Sequence, residues 1–437
     1  MKSIWPWFAI SFAAILAPCA AATPAILITN LPAYGVNTAL GGLVLNANPP
    51  TNAVAVFIYV PGYGWVSKPT CAQPLTTIQP NGSWSANVGT GGAGDLTATR
   101  FAALLVSTNF NLPCVLGAAN LPTNAYAQAI AKTVVTRPAP GVRFLSFSGY
   151  DWSVKNYSAP VGPGPNYFSD ATNNVWTDTN GWLHLRITHR TNAWQCAEIL
   201  SARTFGSGSY RFELNSPADN LNPNVTLGLF TYSDDPAFTE REIDVECSRW
   251  QNAADTNNAQ FVVQPYYLAN QLVRYRVSPG LADSTHLFVW ETNRISWQSQ
   301  TGAYSAAATS LIAAYVFTNA ANVPQSGDEA VHLNLWLING SPPTDNNEVE
   351  VIVKSFNFVP PGTPPRPVLT NLQMSAAGPF KCDLVVQPDF RYEVQTSTNL
   401  LAWTHLTTLL ATNTTLKISD TNPPGIGKRF YRVVTQP

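Results

Sequence analysis

Arg241-Glu242-Ile243-Asp244-Val245-Glu246-Cys247 alternates three carboxylates with three apolar side chains. Side chains of a β-strand point alternately to opposite faces, so Glu242, Asp244 and Glu246 share one face and Ile243, Val245 and Cys247 the other. One face is equipped for acid chemistry and the other for a core. Any half-exposed strand alternates in this way, so the flanking sequence decides what the pattern means.

The flanks, over residues 139–359, repeat short apolar-polar alternations and show no long helical period. Asn180-Gly181 is a hairpin-turn dipeptide, after which Leu183, Leu185 and Ile187 oppose His184, Arg186 and Thr188. More than 200 residues of such strands, a rough count from that pattern, predict a large antiparallel sandwich or jelly roll. Arg137-Pro138-Ala139-Pro140-Gly141 marks its start, and Val359-Pro360-Pro361-Gly362-Thr363-Pro364-Pro365 reads as a stiff linker at its end. Before it, residues 23–138 hold short β-like runs such as Val54–Val60 and Phe101–Val106 between Gly, Pro and Asn clusters, as in an immunoglobulin-like module. After it, residues 366–437 form a small third β module, read as a spacer or sorting tail. The whole chain is expected to be all-β.

Several function classes are excluded early. The chain has 437 residues, a net charge of -1 and only 11% charged residues, so no basic footprint for nucleic acid exists. Gly89-Thr90-Gly91-Gly92-Ala93-Gly94 has dinucleotide-fingerprint spacing but no strand-turn-helix context, and reads as a flexible loop. The five histidines form no His-Glu-x-x-His pattern, and no Gly-x-Ser-x-Gly elbow occurs. Lys2, the apolar run to Leu16 and Ala20-Ala21-Ala22 read as a signal peptide over residues 1–22, which implies a secreted, periplasmic or cell-surface protein without a membrane span. A lipid anchor at Cys19 is the minor alternative, disfavoured by Pro18. Five cysteines then remain, and Cys71 with Cys114 is the pair expected to bridge within one module.

Two carboxylates about 5 to 5.5 Å apart are what a retaining glycosidase needs, one as nucleophile and one as acid/base. Four residues of straight strand separate the Cα atoms of Glu242 and Glu246 by about 13 Å, so inward-leaning side chains on a curved strand are required. Crowding of three acids raises the pKa of at least one, which suits a general acid.

Glu242-Ile243-Asp244-Val245-Glu246 resembles the Glu-x-Asp-x-Glu signature of family 16 glycoside hydrolases. The resemblance extends in order through Glu198–Phe205 with Gly208–Glu213, Gln264, Thr285–Trp290 with Arg294–Trp297, and His332–Trp336, the last resembling the family's closing strand. It implies a concanavalin-like β-jelly-roll, with Glu242 as nucleophile, Asp244 as its assisting carboxylate and Glu246 as acid/base. It also makes Trp250, Gln264 and Trp336, and more weakly Arg249, candidate sugar contacts. The implied protein is a monomeric endo-glycosidase acting on a β-linked polysaccharide, a β-glucan first of all. No cofactor is implied; a structural calcium ion fits the fold class without a ligand set readable from sequence. Two features depart from or subdivide the family pattern. Val225–Tyr232 stands where many members carry Trp-Pro-Ala, and no residue is inserted between Asp244 and Glu246, so the strand should lack a bulge. The same sandwich also builds lectins, so a non-catalytic carbohydrate-binding protein is the competing expectation, and a surface protein of three spacer modules the third.

Overall fold

The computed structural model describes residues 24–278, 280, 283–304, 310–362, 367–373, 379–386, 390–411, 415–421 and 429–436. The expected signal peptide, with Cys19, lies outside them. Strands carry the architecture; the only α-helix among the described residues is the short Thr123–Gln128. No helix among them is long and apolar enough to cross a membrane.

The middle of the chain is a two-sheet jelly-roll sandwich. Its front sheet runs, in spatial order, Phe144–Phe147, Tyr150–Val154, Ala193–Ser201, Ala330–Leu337, Val225–Tyr232, Ile243–Cys247, Ala259–Val263 and Leu272–Tyr275. The back sheet runs Val175–Thr177, Leu183–Arg190, Val349–Val359, Gly208–Leu214, Ser284–Trp290, Ile295–Thr301 and Leu311–Phe317. All these pairings are antiparallel. The chain crosses between the sheets several times, so strands distant in sequence become neighbours. Ala330–Leu337, expected as a closing strand, instead lies centrally between Ala193–Ser201 and Val225–Tyr232, and Val349–Val359 is the last strand of the sandwich.

The alternation read from sequence explains the packing. Ile243, Val245 and Cys247 are fully buried in one core with Phe212, Phe288 and Phe356 of the back sheet. Burying a side chain such as Ile or Val contributes roughly 1.5–3 kcal/mol, so a one-residue slip of this strand would forfeit several such contributions and bury its acids instead. Trp297 reaches across from the back sheet and donates its Nε1–H to the Asp244 carbonyl at 3.0 Å, fixing the strand's depth. Thr188, on the polar side of the alternation, is nonetheless fully buried, its hydroxyl donating to Asn174 Oδ1 at 3.1 Å. A satisfied hydroxyl is tolerated in a core where an unpaired one is costly.

On the N-terminal side, a three-stranded sheet (Ala25–Asn30, Leu40–Leu45, Ser83–Ala86) packs with a larger one built on Asn52–Val60 and Arg100–Ser107. Cys71 and Cys114 are disulfide-bonded. The glycine-rich stretch is more ordered than its composition predicts, since Asp95 in the following single-turn helix accepts from the Lys68 ammonium and the Gly91 N–H. On the C-terminal side two three-stranded sheets enclose Leu384, Tyr392, Val394 and Ile418.

Candidate active site

The front sheet's outer face carries a cleft of about 1070 Å³. Glu242, Asp244 and Glu246 all line it, as do Arg249, Trp250, Gln264 and Trp336. Asp244 and Glu246 lie within the strand and Glu242 immediately precedes it. The strand pairs in unbroken register with both neighbours, so it has no bulge.

Register places the remaining groups. Glu246 faces Gln260 on one side and Gly228 on the other, Gly228 faces Asn334, and Asn334 faces Glu198. The next row aligns Asp244 with Phe230 and His332. Gly228, within the Val225–Tyr232 segment, is small for a reason. Its N–H donates to Asn334 Oδ1 at 3.1 Å, and a Cβ there would stand 2.5 Å from the same oxygen. The floor between Glu246 and Glu198 is therefore backbone overlaid by an amide.

The carboxylates are held by distinct partners. Gln260 Nε2 donates to Glu246 Oε2 at 2.7 Å, while Gln260 Oε1 accepts from Trp250 Nε1 at 3.0 Å and Arg274 Nη1 at 3.1 Å. The Asp244 side chain hydrogen-bonds that of Glu242, which requires a proton on one of them. Asp244 Oδ2 is buried with no hydrogen-bond partner among the described residues. Burial pushes the Glu242 carboxyl up to about 8, helped by the charges of Glu246 and Glu240. Burial likewise pushes Glu246 up to about 7 against the opposing pull of Gln260 and Arg274, and drives Asp244 well above the ordinary carboxylate range. Desolvation thus leads at all three carboxyls, and crowding by neighbouring acids adds to it at Glu242 and Asp244.

Glu198 behaves oppositely. It is 2% exposed, and burial works against its charge. His332 Nδ1 and Lys155 Nζ, each 2.7 Å from one of its oxygens, outweigh that and hold the carboxyl below its ordinary value. The cleft therefore presents a proton-holding triad on one strand and a paired carboxylate three strands away.

The aromatic candidates differ in use. Trp250 is 36% exposed, whereas Trp336 is 9% exposed and meets it edge-on at 6.0 Å. The Arg249 guanidinium donates to the Leu221 carbonyl at 2.8 Å, a structural tie at the cleft edge. Gln264 supports Glu242 directly: its N–H donates to the Glu242 carbonyl at 3.1 Å and its side chain opposes the upward shift of the Glu242 carboxyl, while its Oε1 accepts from the Tyr266 N–H at 2.9 Å. Lys155, Glu198, Phe230, Gln260, His332 and Asn334 were not singled out from sequence. Two of them were within reach, because His332 and Asn334 alternate with the buried Leu333 and Leu335 and so share the face of Trp336. Lys155 follows the Tyr150–Val154 strand and carries no local signal.

The raised pKa values carry a stability consequence. A carboxyl protonated in the fold but ionised in the free chain contributes stability below its free value of 4.5, and this is lost as pH rises through about 7 for Glu246 and about 8 for Glu242. His286, buried and pushed down to about 4, acts in the opposite sense below its free value of 6.5. Comparison with Glu242→Gln cancels His286. The variant should gain melting temperature relative to wild type progressively between about pH 4.5 and 8, measured by thermal denaturation. A pH-independent difference would show that Glu242 titrates in the fold as it does in the free chain.

No family model matches the chain, and no sequence among the curated proteins matches it. Among solved structures it is similar to a Bacillus licheniformis beta-glucanase at 20% identity, over 51% of this chain and 99% of that one, with a TM-score of 0.38. It is similar to a prokaryotic beta-1,3-1,4-glucanase (lichenase) derived from a mouse hindgut metagenome at 20% identity, over 50% of this chain and 99% of that one, TM-score 0.37. A third is a Bacteroides ovatus mixed-linkage glucan GH16 protein in complex with a G4G4G3G product, at 13% identity over 50% of this chain and 97% of that one, TM-score 0.38.

Proposed function

We propose that the protein is a secreted retaining endo-glycosidase that hydrolyses a β-linked polysaccharide, with a β-glucan as the foremost candidate. The observation that carries this reading is the placement of Glu242, Asp244 and Glu246 on the floor of one large cleft, with the triad retaining protons near neutral pH. In this reading Glu246, with its proton available near pH 7, donates to the leaving glycosidic oxygen. Glu242 attacks the anomeric carbon as that bond breaks, and its shared proton rests on Asp244 during attack. Water, deprotonated by Glu246, then releases the sugar from Glu242.

The test is a reducing-sugar assay of the purified protein on mixed-linkage β-glucan, laminarin, xyloglucan, agarose and carrageenan. Release of reducing ends from at least one polymer is expected. A protein inert on every polymer yet retained on one in affinity electrophoresis would be a lectin.

The cleft rim supplies a further prediction. Tyr266, 58% exposed, lines the cleft beside Tyr267, 75% exposed. Gln271 pins their loop by donating to the Val263 and Pro265 carbonyls, and Tyr315 anchors it at the Asn270 carbonyl. Fixed aromatic faces stack on sugar rings at little entropic cost. Tyr266→Ala with Tyr267→Ala should raise KM for the hydrolysed polymer about 10-fold, equivalent to about 1.4 kcal/mol, with kcat within about 2-fold of wild type.

A further inference from the structure

The residue just ahead of the triad, Arg241, is 0% exposed, and its surroundings come from four separate parts of the chain. Its Nη1 lies 3.1 Å from Asp328 and 3.4 Å from Asp235, and Nη1 also donates to Ser233 Oγ at 3.0 Å. Nε donates to the Gln325 carbonyl at 3.0 Å, and Glu329 lies 3.9 Å away. Gly327 makes room for it: a Cβ there would sit 2.3 Å from Nε. Ser233 and Asp235 follow the Val225–Tyr232 strand, and residues 325–329 lead into the Ala330–Leu337 strand. One guanidinium therefore ties together the ends of the three adjacent strands that bear Gly228, Glu246 and Asn334.

The backbone there is under strain. Thr239, Glu240 and Arg241 have φ of 52°, 54° and 51°, three successive left-handed residues without a glycine. Each costs on the order of 1–2 kcal/mol, so the turn persists only where its surroundings over-determine it. Its geometry sets where Glu242 emerges.

The fourth part of the chain is the N-terminal module. Tyr126, from its short helix, is 2% exposed, with the Arg241 guanidinium 5.5 Å and the Lys132 ammonium 5.3 Å from its ring centre. Lys132 donates to the Ser326 carbonyl at 2.6 Å, and Arg100 lies 3.6 Å from Asp328. Asp235, Asp328 and Glu329 thus meet three cations, of which two, Arg100 and Lys132, cross the module boundary. Without the N-terminal module three buried acids would face Arg241 alone.

We propose that the N-terminal module is a working part of the active site, its Arg100, Tyr126 and Lys132 completing the ion cluster that holds Arg241 and, through it, the left-handed turn that delivers Glu242 to the cleft. Arg241, Lys132 and Arg100 are positioning residues, and the effect on turnover rests on the glycosidase reading. The test uses the full chain with Arg100→Met and Lys132→Met together, Lys132→Met alone as a milder variant, and Lys132→Arg as the conservative control. With mixed-linkage β-glucan as probe, kcat should fall about 10- to 100-fold in the double variant with KM nearly unchanged, and Lys132→Arg should keep most of it. Amide hydrogen exchange over residues 239–247 should quicken while the back sheet keeps its protection. Unchanged kcat and unchanged exchange in folded variants would overturn the proposal, as would exchange that quickens evenly through the sandwich. A wild type inert on every polymer, with the local exchange change still present, would sink the glycosidase reading and leave the coupling between modules standing.

Discussion

Glu246→Gln should lower kcat on the hydrolysed polymer by about 10²- to 10⁴-fold, and Glu242→Gln by at least as much, while binding to the polymer survives in both. Glu246 is pushed up to about 7, so near neutral pH it can supply a proton and later accept one. Glutamine keeps the shape and the hydrogen bond from Gln260 but can do neither. Glutamine at position 242 removes the nucleophile and leaves the floor of the cleft otherwise intact. The two losses should also differ in kind: a substrate with an acidic phenol as leaving group needs little protonation, so it should recover part of the Glu246→Gln loss in the first step and none of the Glu242→Gln loss. Equal residual activity on both substrate types, or a rate near wild type in either variant, would remove the assigned roles.

The second large effect concerns stability. Arg241→Met should destabilise the protein by roughly 3–5 kcal/mol, because it leaves Asp235, Asp328 and Glu329 buried beside each other without their central cation. For a unit of this size that corresponds to a fall in melting temperature of roughly 6–20 °C, at about 2–4 °C per kcal/mol. Burial already raises the Glu329 carboxyl, and Arg241 is the foremost group opposing that. The loss should therefore shrink at low pH, where Glu329 can take a proton instead. Thermal melts at about pH 4 and pH 8 check this; a loss independent of pH would mean that packing, and not charge, is what Arg241 supplies.

How much was legible in the sequence follows from how local each signal is. Period-two alternation is a property of one strand, so the opposite faces of Glu242–Cys247, the cleft face of His332–Trp336 and the β-rich composition of all three regions could be read directly. The absence of a bulge followed from counting residues between Asp244 and Glu246. What could not be read is adjacency between strands far apart in the chain. Glu198 meets His332 across 134 positions and Arg241 meets Asp328 across 87, and only the crossing pattern of the sandwich brings them together. The same cause misplaced Ala330–Leu337 as a closing strand. The burial of Thr188 was equally out of reach, because alternation reports polarity and cannot report a buried hydrogen-bond partner such as Asn174. Nothing around Arg241 in sequence announces a buried charge.

In the proposed mechanism Glu242 carries a covalent sugar during turnover. Its most direct test is to incubate the protein with a 2-deoxy-2-fluoro-β-glucosyl or oligoglucosyl fluoride, which slows release of the intermediate, and to map the modified peptide by mass spectrometry. The expected result is one added glycosyl mass on the peptide containing Glu242, absent from Glu242→Gln and formed by Glu246→Gln. Labelling at any other residue, or hydrolysis of the polymer with no labelling and an inverted anomeric product, would contradict it.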